Sequence, residues 1–207
     1  MFKTSISITN VDALLKTLNA GIIKKAGART VRRAASAGKT EISKQVRSRF
    51  NLKKQDVDRK ITVNLKGINN DYPEAKLTIY GDPISLTYFG PKQISGGIQT
   101  FISKNRGIAQ KKLHRSKYSG VTVKILKSKQ TKLPQAFLAR GKGGIPQVFA
   151  RQGKSRYPLR ALKVITVQAI VKQPANMTAI KNRVAEQLRK EWAAQLPQAI
   201  KEAGWRA

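Results

Sequence analysis

The sequence contains no cysteine, a single histidine and ten carboxylates in 207 residues, and each scarcity closes off a class of chemistry. Without cysteine there is neither a disulfide framework nor a thiolate metal site, so the chain is suited to folding in a reducing compartment. His114 stands alone in a basic stretch and cannot assemble a metal cluster by itself. The carboxylates are also unevenly placed: after Asp82 the next is Glu186, so positions 83–185 hold 21 Lys or Arg and no acid. General acid–base pairs, two-metal phosphoryl-transfer centres and glycosidase dyads all need converging carboxylates, which half of the chain cannot offer. No run approaches the ~20 apolar residues of a membrane span, and Met-Phe-Lys-Thr-Ser-Ile-Ser-Ile lacks the apolar core of a signal peptide. The expectation is a soluble protein that is no enzyme, binds no cofactor or metal, and works without a membrane.

What is abundant is positive charge on a foldable background. Apolar residues make up 40% of the chain, yet 42 Lys and Arg leave a formal charge of +32. Self-repulsion of that size weakens an isolated compact monomer, so the working state should include a neutralising partner. Nucleic-acid phosphate and the acidic face of a neighbouring protein both fit.

Hydrophobic spacing divides the chain into helical ends and a strand-rich middle. Phe2, Ile6 and Ile8 alternate weakly before Thr9 and Asn10, which offer an N-cap with Asp12 in the first turn. Val11, Leu14, Leu15, Leu18 and Ile22 then mark an amphipathic helix, with a break or kink expected between Gly21 and Gly27. From Ala28 to Phe50 the helical period resumes. Val31, Ala34, Ala35, Gly38, Ile42 and Val46 fall on one side, and Arg29, Arg32, Arg33, Lys44 and Arg47 form a ridge on the other. That ridge is either a solvated face or a docking surface for a counter-charged partner.

Between residues 60 and 90 the period changes to two. Ile61, Val63, Leu65, Leu77, Ile79, Ile84, Leu86 and Tyr88 alternate with polar neighbours, punctuated by Asn69-Asn70-Asp71 and Gly81-Asp82-Pro83, as in a strand meander. Val121, Val123 and Ile125, with shorter runs at 136–139 and 147–150, extend the antiparallel pattern. Residues 159–171 fit a strand or a helix entry equally well. Segment 91–120 holds Gly96-Gly97 and no acid, and Arg106, Lys111, Lys112, Arg115 and Lys117 surround Phe101, Ile102, Ile108 and Leu113. Its pattern predicts an extended basic loop insertion, either ordering on a partner or remaining disordered. The C-terminal segment, 175–204, is helical, with Asn176 as cap and Ile180, Val184, Leu188 and Trp192 on one face. Pro197 should break it, and Trp205 follows as a packing anchor. One α+β domain over 1–207 is expected, an antiparallel sheet packed with a long N-terminal and a C-terminal helix.

Few motifs carry chemistry. Asp56 and Asp58 form the closest carboxylate pair, but Lys53, Lys54, Arg59 and Lys60 flank them, so local charge balance explains them better than a metal. Gly141-Lys142-Gly143-Gly144 lacks the Gly-Lys-Ser/Thr spacing of a phosphate loop and reads as a turn between strands. Zinc spacings, aromatic RNA-binding motifs and basic-zipper heptads are missing.

The order of segments nevertheless resembles a known family. A basic small-residue helix runs into Arg49-Phe50-Asn51-Leu52-Lys53-Lys54-Gln55-Asp56-Val57. Tyr88-Phe89-Gly90, Val121-Thr122-Val123-Lys124 and Ala136-Phe137-Leu138-Ala139-Arg140 follow it. Then come Val148-Phe149-Ala150-Arg151, Gly153-Lys154-Ser155-Arg156 and Pro158-Leu159-Arg160-Ala161-Leu162. Over most of its length the chain is similar to the prophage minor tail protein Z family, with Phe137, Arg140, Phe149, Arg151, Gly153, Arg156, Pro158 and Leu159 as the family-like positions. It departs where a Gly-Pro-Ser turn is expected and Lys163-Val164-Ile165-Thr166 stands instead. The resemblance implies a structural virion protein, assembled in the host cytoplasm and placed at the head-proximal end of a phage tail. It further implies a homo-oligomeric ring of six copies linking the tail terminator or tail tube to the head connector, with non-specific contact to DNA in the channel. A general nucleic-acid-binding architectural protein is the competing reading, since the same charge would suit it.

Overall fold

The computed structural model describes residues 3–8, 20–67, 73–95, 98–103, 107–112, 119–153 and 155–202, and groups the chain into two compact units. The first comprises Met1–Gln45, Val57–Gly81 and Val167–Ala207; the second comprises Val46–Asp56 and Asp82–Thr166. A long helix toward each end of the chain and antiparallel sheets make the protein α+β.

In the first unit, strands β1 (Lys3–Ile8), β2 (Ile61–Lys66) and β3 (Glu74–Tyr80) form an antiparallel sheet in the order β1-β3-β2. Helix α1 (Ala20–Arg49) contributes small residues to the core. Val31, Ala34 and Ala35 pack with Ala75 of β3 and with Val184, while Val63, Leu65 and Leu188 cover the cluster. Small side chains let neighbouring elements approach closely, as at Gly38. A Cβ there would lie 2.8 Å from Val184 Cγ2 and 3.0 Å from Leu77 Cδ1.

Of the break or kink expected between Gly21 and Gly27, a break does not occur: α1 is continuous from Ala20. Gly costs about 1 kcal/mol in a helix interior. At Gly27 close packing explains its presence, since an added Cβ would meet the Pro73 ring at 3.1 Å and Trp192 at 3.9 Å. The stripe Val11–Leu18 and its cap lie outside the described residues.

Helix α3 (Val167–Val171) and helix α4 (Pro174–Glu202) complete this unit. Asn176 is not the cap of α4 but lies inside its first turn, where its Nδ2 donates to the Ile170 carbonyl at 2.8 Å and ties α4 to α3. Pro197 does not end α4 either. Burial of Gln195 and Ala199 on either side, with Ala199 packed against Ala26, Trp192 and Ile200, holds the helix through the lost backbone donor.

The second unit opens with the end of α1 and helix α2 (Lys54–Asp58), of which Lys54–Asp56 belong to this unit. Its largest sheet has five antiparallel strands in the order β7-β6-β5-β8-β9: β5 (Lys92–Ser95), β6 (Ile98–Ile102), β7 (Ile108–Lys112), β8 (Gly120–Val123) and β9 (Thr131–Leu133). The extended loop expected at 91–120 is therefore a strand meander over its described part. Backbone pairing with the buried β8 orders β5, through Gln93 opposite Val121, and β5 in turn orders β6, through Lys92 opposite Phe101. Half-exposed strands with consecutive polar residues, Lys92-Gln93 and Gln110-Lys111-Lys112, blur the period-two signal, which is why they read as a loop.

Strands β10 (Ala136–Arg140), β11 (Pro146–Arg151) and β12 (Leu159–Ala161) form a second antiparallel sheet. β4 (Ile84–Ser85) pairs with β13 (Lys163–Val164), the segment that departs from the family-like turn. Segment 159–171 thus divides into two short strands followed by α3. Leu86 and Tyr88 do not continue a strand. Ser85 caps a single 3-10 turn over Leu86–Phe89, its Oγ accepting from Thr87 N, and Gly90 closes the turn at φ 62°. Leu86 and Phe89, three apart, are the buried pair.

Candidate functional site

The basic ridge of α1 lies opposite its buried residues, as the 3.6-residue period requires, but it is largely stapled within the chain. Arg29 forms a two-pronged pair with Glu202, Nη1 to Oε1 at 2.9 Å and Nη2 to Oε2 at 3.0 Å. Arg33 Nη1 donates to Glu191 Oε2 at 2.7 Å, and Gln187 Nε2 donates to the other oxygen at 2.9 Å. Lys44 sits 3.9 Å from Glu41, which also accepts from Gln45. These contacts draw on carboxylates scarce in the chain as a whole. The guanidinium hydrogen bonds hold the Glu191 and Glu202 carboxyls below the ordinary value of 4.5 and raise Arg29 further. Arg32 is exposed and pairs with no carboxylate among the described residues; Arg47 is half-buried.

Of the cations predicted around 91–120, Lys111 and Lys112 occupy the exposed end of edge strand β7. Lysine there discourages edge-to-edge pairing with other chains, so a protective role accounts for both without a ligand. Arg106, Arg115 and Lys117, like His114, lie outside the described residues.

The family-like positions converge better than the charge ridge. Phe137 and Phe149 are register partners on β10 and β11, with ring centroids 6.1 Å apart. The Arg151 guanidinium lies 5.9 Å from the Phe137 ring centroid, and Arg151 pairs in register with Leu159. Arg140 faces Pro146 at the hairpin end, where a 3-10 turn over Lys142–Gly144 uses positive φ at Gly143 and Gly144. That arrangement agrees with a turn between strands and not with a phosphate loop. Arg156 stacks on exposed Tyr157, whose bond to Pro158 is cis. Phe137, Arg151 and Gly153 also line an open cleft of about 560 Å3, together with Gln93, Gly120 and Pro134. Gln93 Oε1 accepts from Leu138 N at 2.6 Å, tying the two sheets together there.

Chemically, these surfaces present cations and aromatic rings. Among the described residues no group of three or more His, Cys, Asp or Glu could hold a metal. Asp56 sits in the first turn of α2, where a carboxylate complements the helix dipole. No described helix is long and apolar enough to cross a membrane.

One basic cluster escapes a reading limited to helix faces. Lys124, Lys127, Lys129 and Lys132 are all exposed between and along β8 and β9, four lysines in nine residues. Their density was visible in sequence; their neighbours were not. Antiparallel backbone contacts bring this stretch beside Arg49–Asn51, 75 residues earlier.

No curated protein and no solved structure matches the chain well enough to count as a relative. The family model for prophage minor tail protein Z, however, matches residues 8–204, nearly the full length and including every family-like position above. The chain belongs to the prophage minor tail protein Z family and is a structural protein of a phage tail.

Proposed function

We propose that the protein is a tail completion or neck component, forming a ring at the head-proximal end of the tail that links the tail terminator to the head connector. The supporting observation is segregated charge on a folded scaffold poor in proton-handling groups. The second unit carries 22 of the 42 Lys and Arg but only Asp56 and Asp82 of the ten carboxylates. Such an imbalance suits a joint between polyanionic or acidic neighbours, where association offsets the self-repulsion of each copy. Heterologous contacts repeated around a closed ring would bury surfaces such as exposed Ile98, Ile145 and Ile165. Six copies is the ring size that the family resemblance suggests.

The ion pairs above refine which ridge cation to test. Arg29 and Arg33 already have internal partners, so Arg32→Glu probes the outer surface without breaking a staple. Electron microscopy of tails assembled with a tagged copy should place the tag at the head-proximal end, and tails made without the protein should fail to join heads. A tag at the tail tip, or free rings absent from purified tails, would refute the placement. Binding to nucleic acid as a monomer with no attachment to tails would favour the architectural reading instead.

A further inference from the structure

The end of α1 meets the β8–β9 connection in a short antiparallel contact. Asn51 N donates to Ile125 O at 2.9 Å, Lys127 N to Arg49 O at 3.1 Å, and Phe50 bridges Leu126 between them. In that register Arg49 stands directly opposite Lys127. The two cations are thus backbone neighbours, like charge accumulates at the contact, and no carboxylate lies in 120–133 to offset it. Lys53, Lys124 and Lys129, within four positions of this pair along the chain, are exposed as well, and Arg49 is held over the Phe50 ring, 5.9 Å from its centroid. Asp56 is the one acid in 46–56, and it is half-buried.

The composition of this patch discriminates between partners. Its exposed residues are cations or small polar groups: Ser48, Asn51, Gln55, Ser128 and Gln130 stand between the basic ones, while Phe50 and Leu52 are buried. A protein interface needs an apolar, charge-depleted centre, whereas here the half-buried Ile125 and Leu126 are flanked by exposed lysines. A single-strand site stacks bases on aromatic side chains, and no exposed aromatic occurs here. Closely spaced cations on a backbone-braced platform fit regularly spaced phosphates on the outside of a duplex.

We propose that the junction of α1 with the β8–β9 connection, through Arg49, Lys53, Lys124, Lys127 and Lys129, binds the phosphate backbone of duplex DNA without reading sequence. The proposal rests on the neck assignment only for the source of the DNA, the genome passing through the joint. Bound phosphates would neutralise the positive charge gathered at this backbone contact.

The test uses the purified full chain, a short fluorescent duplex of mixed sequence, and anisotropy across a salt series. Lys124→Ala, Lys127→Ala and Lys129→Ala together should lower the slope of log affinity against log salt by about 2.7, since each phosphate contact contributes about 0.9. Between 50 and 200 mM salt the unaltered protein should then lose about 40-fold more affinity than the variant. A control with the same charge removed from α4, Lys181→Ala, Arg189→Ala and Lys190→Ala, should keep most of the slope. Equal losses in both variants, or no loss in either, would overturn the proposal. So would displacement of the duplex by poly-glutamate at equal charge, which would identify an acidic protein as the partner. Lys127→Ala alone should raise the melting temperature of the free protein at low salt, a readout independent of binding; a fall would contradict the repulsion argument. Salt-sensitive binding through this patch by a protein missing from the neck would refute the placement alone.

Discussion

Substituting Gly38 tests the packing that joins α1 to β3 and α4. Two effects oppose each other in Gly38→Ala. Alanine should stabilise the helix by about 1 kcal/mol through backbone entropy. Its Cβ, however, would lie 2.8 Å from Val184 Cγ2 and 3.0 Å from Leu77 Cδ1, closer than van der Waals contact permits. Neither neighbour yields easily: Val184 is β-branched in a helix and 6% exposed, and Leu77 is fully buried in the central strand. Overpacking of this kind costs about 1–3 kcal/mol, so the overlap outweighs the helix gain and the net loss should be about 1 kcal/mol. For a unit of this size that lowers the melting temperature by roughly 4 °C, measurable by circular dichroism. Val184→Ala alone should cost roughly 2 kcal/mol through lost burial. Combined with Gly38→Ala it opens the space the new methyl needs, so the double variant should be about 1 kcal/mol more stable than the sum of the single losses. A rise in melting temperature for Gly38→Ala, or strict additivity, would refute the close-packing argument.

The staples on α1 should make stability acid-sensitive. Because Glu191 and Glu202 are lowered in the folded protein, their contribution is complete above the ordinary value of 4.5 and is lost as pH falls through the lowered values. Thermal melts should therefore show a steeper acid loss for the native sequence than for Glu191→Gln with Glu202→Gln, and identical pH profiles would contradict it. The outer strands offer a test of sheet order. Ile94 pairs with Gly120, so replacing residues 96–118 by Asn-Gly joins β5 to β8 through a two-residue hairpin. The shortened chain should keep a cooperative melt, since β6 and β7 are half-exposed; global unfolding would show that they belong to the core.

Legibility tracked the distance over which each interaction acts. The buried face of α1 was readable because Val31, Ala34, Ala35, Gly38 and Ile42 repeat with the helix itself. Strands β2, β3 and β8 announced themselves through alternating Ile, Val and Leu. Where local signals misled, a remote neighbour supplied the compensation. Gly27 is tolerated against Pro73 and Trp192, and Pro197 is held by the packing of Ala199 on Ala26. The 91–120 meander needed β8 as a template, and its own Lys and Gln residues hid the pattern.

By itself the sequence determined the charge imbalance, the want of catalytic carboxylates, the helical ends and the family order of motifs, all of which depend on composition or short-range period. Only the tertiary structure decided which cations are occupied. Arg29 and Arg33 meet Glu202 and Glu191, 173 and 158 positions away, whereas Arg49 faces Lys127 with no acid between them. Electrostatic energy depends on separation in space, and that separation is set by how the strands and helices pair, not by spacing along the chain.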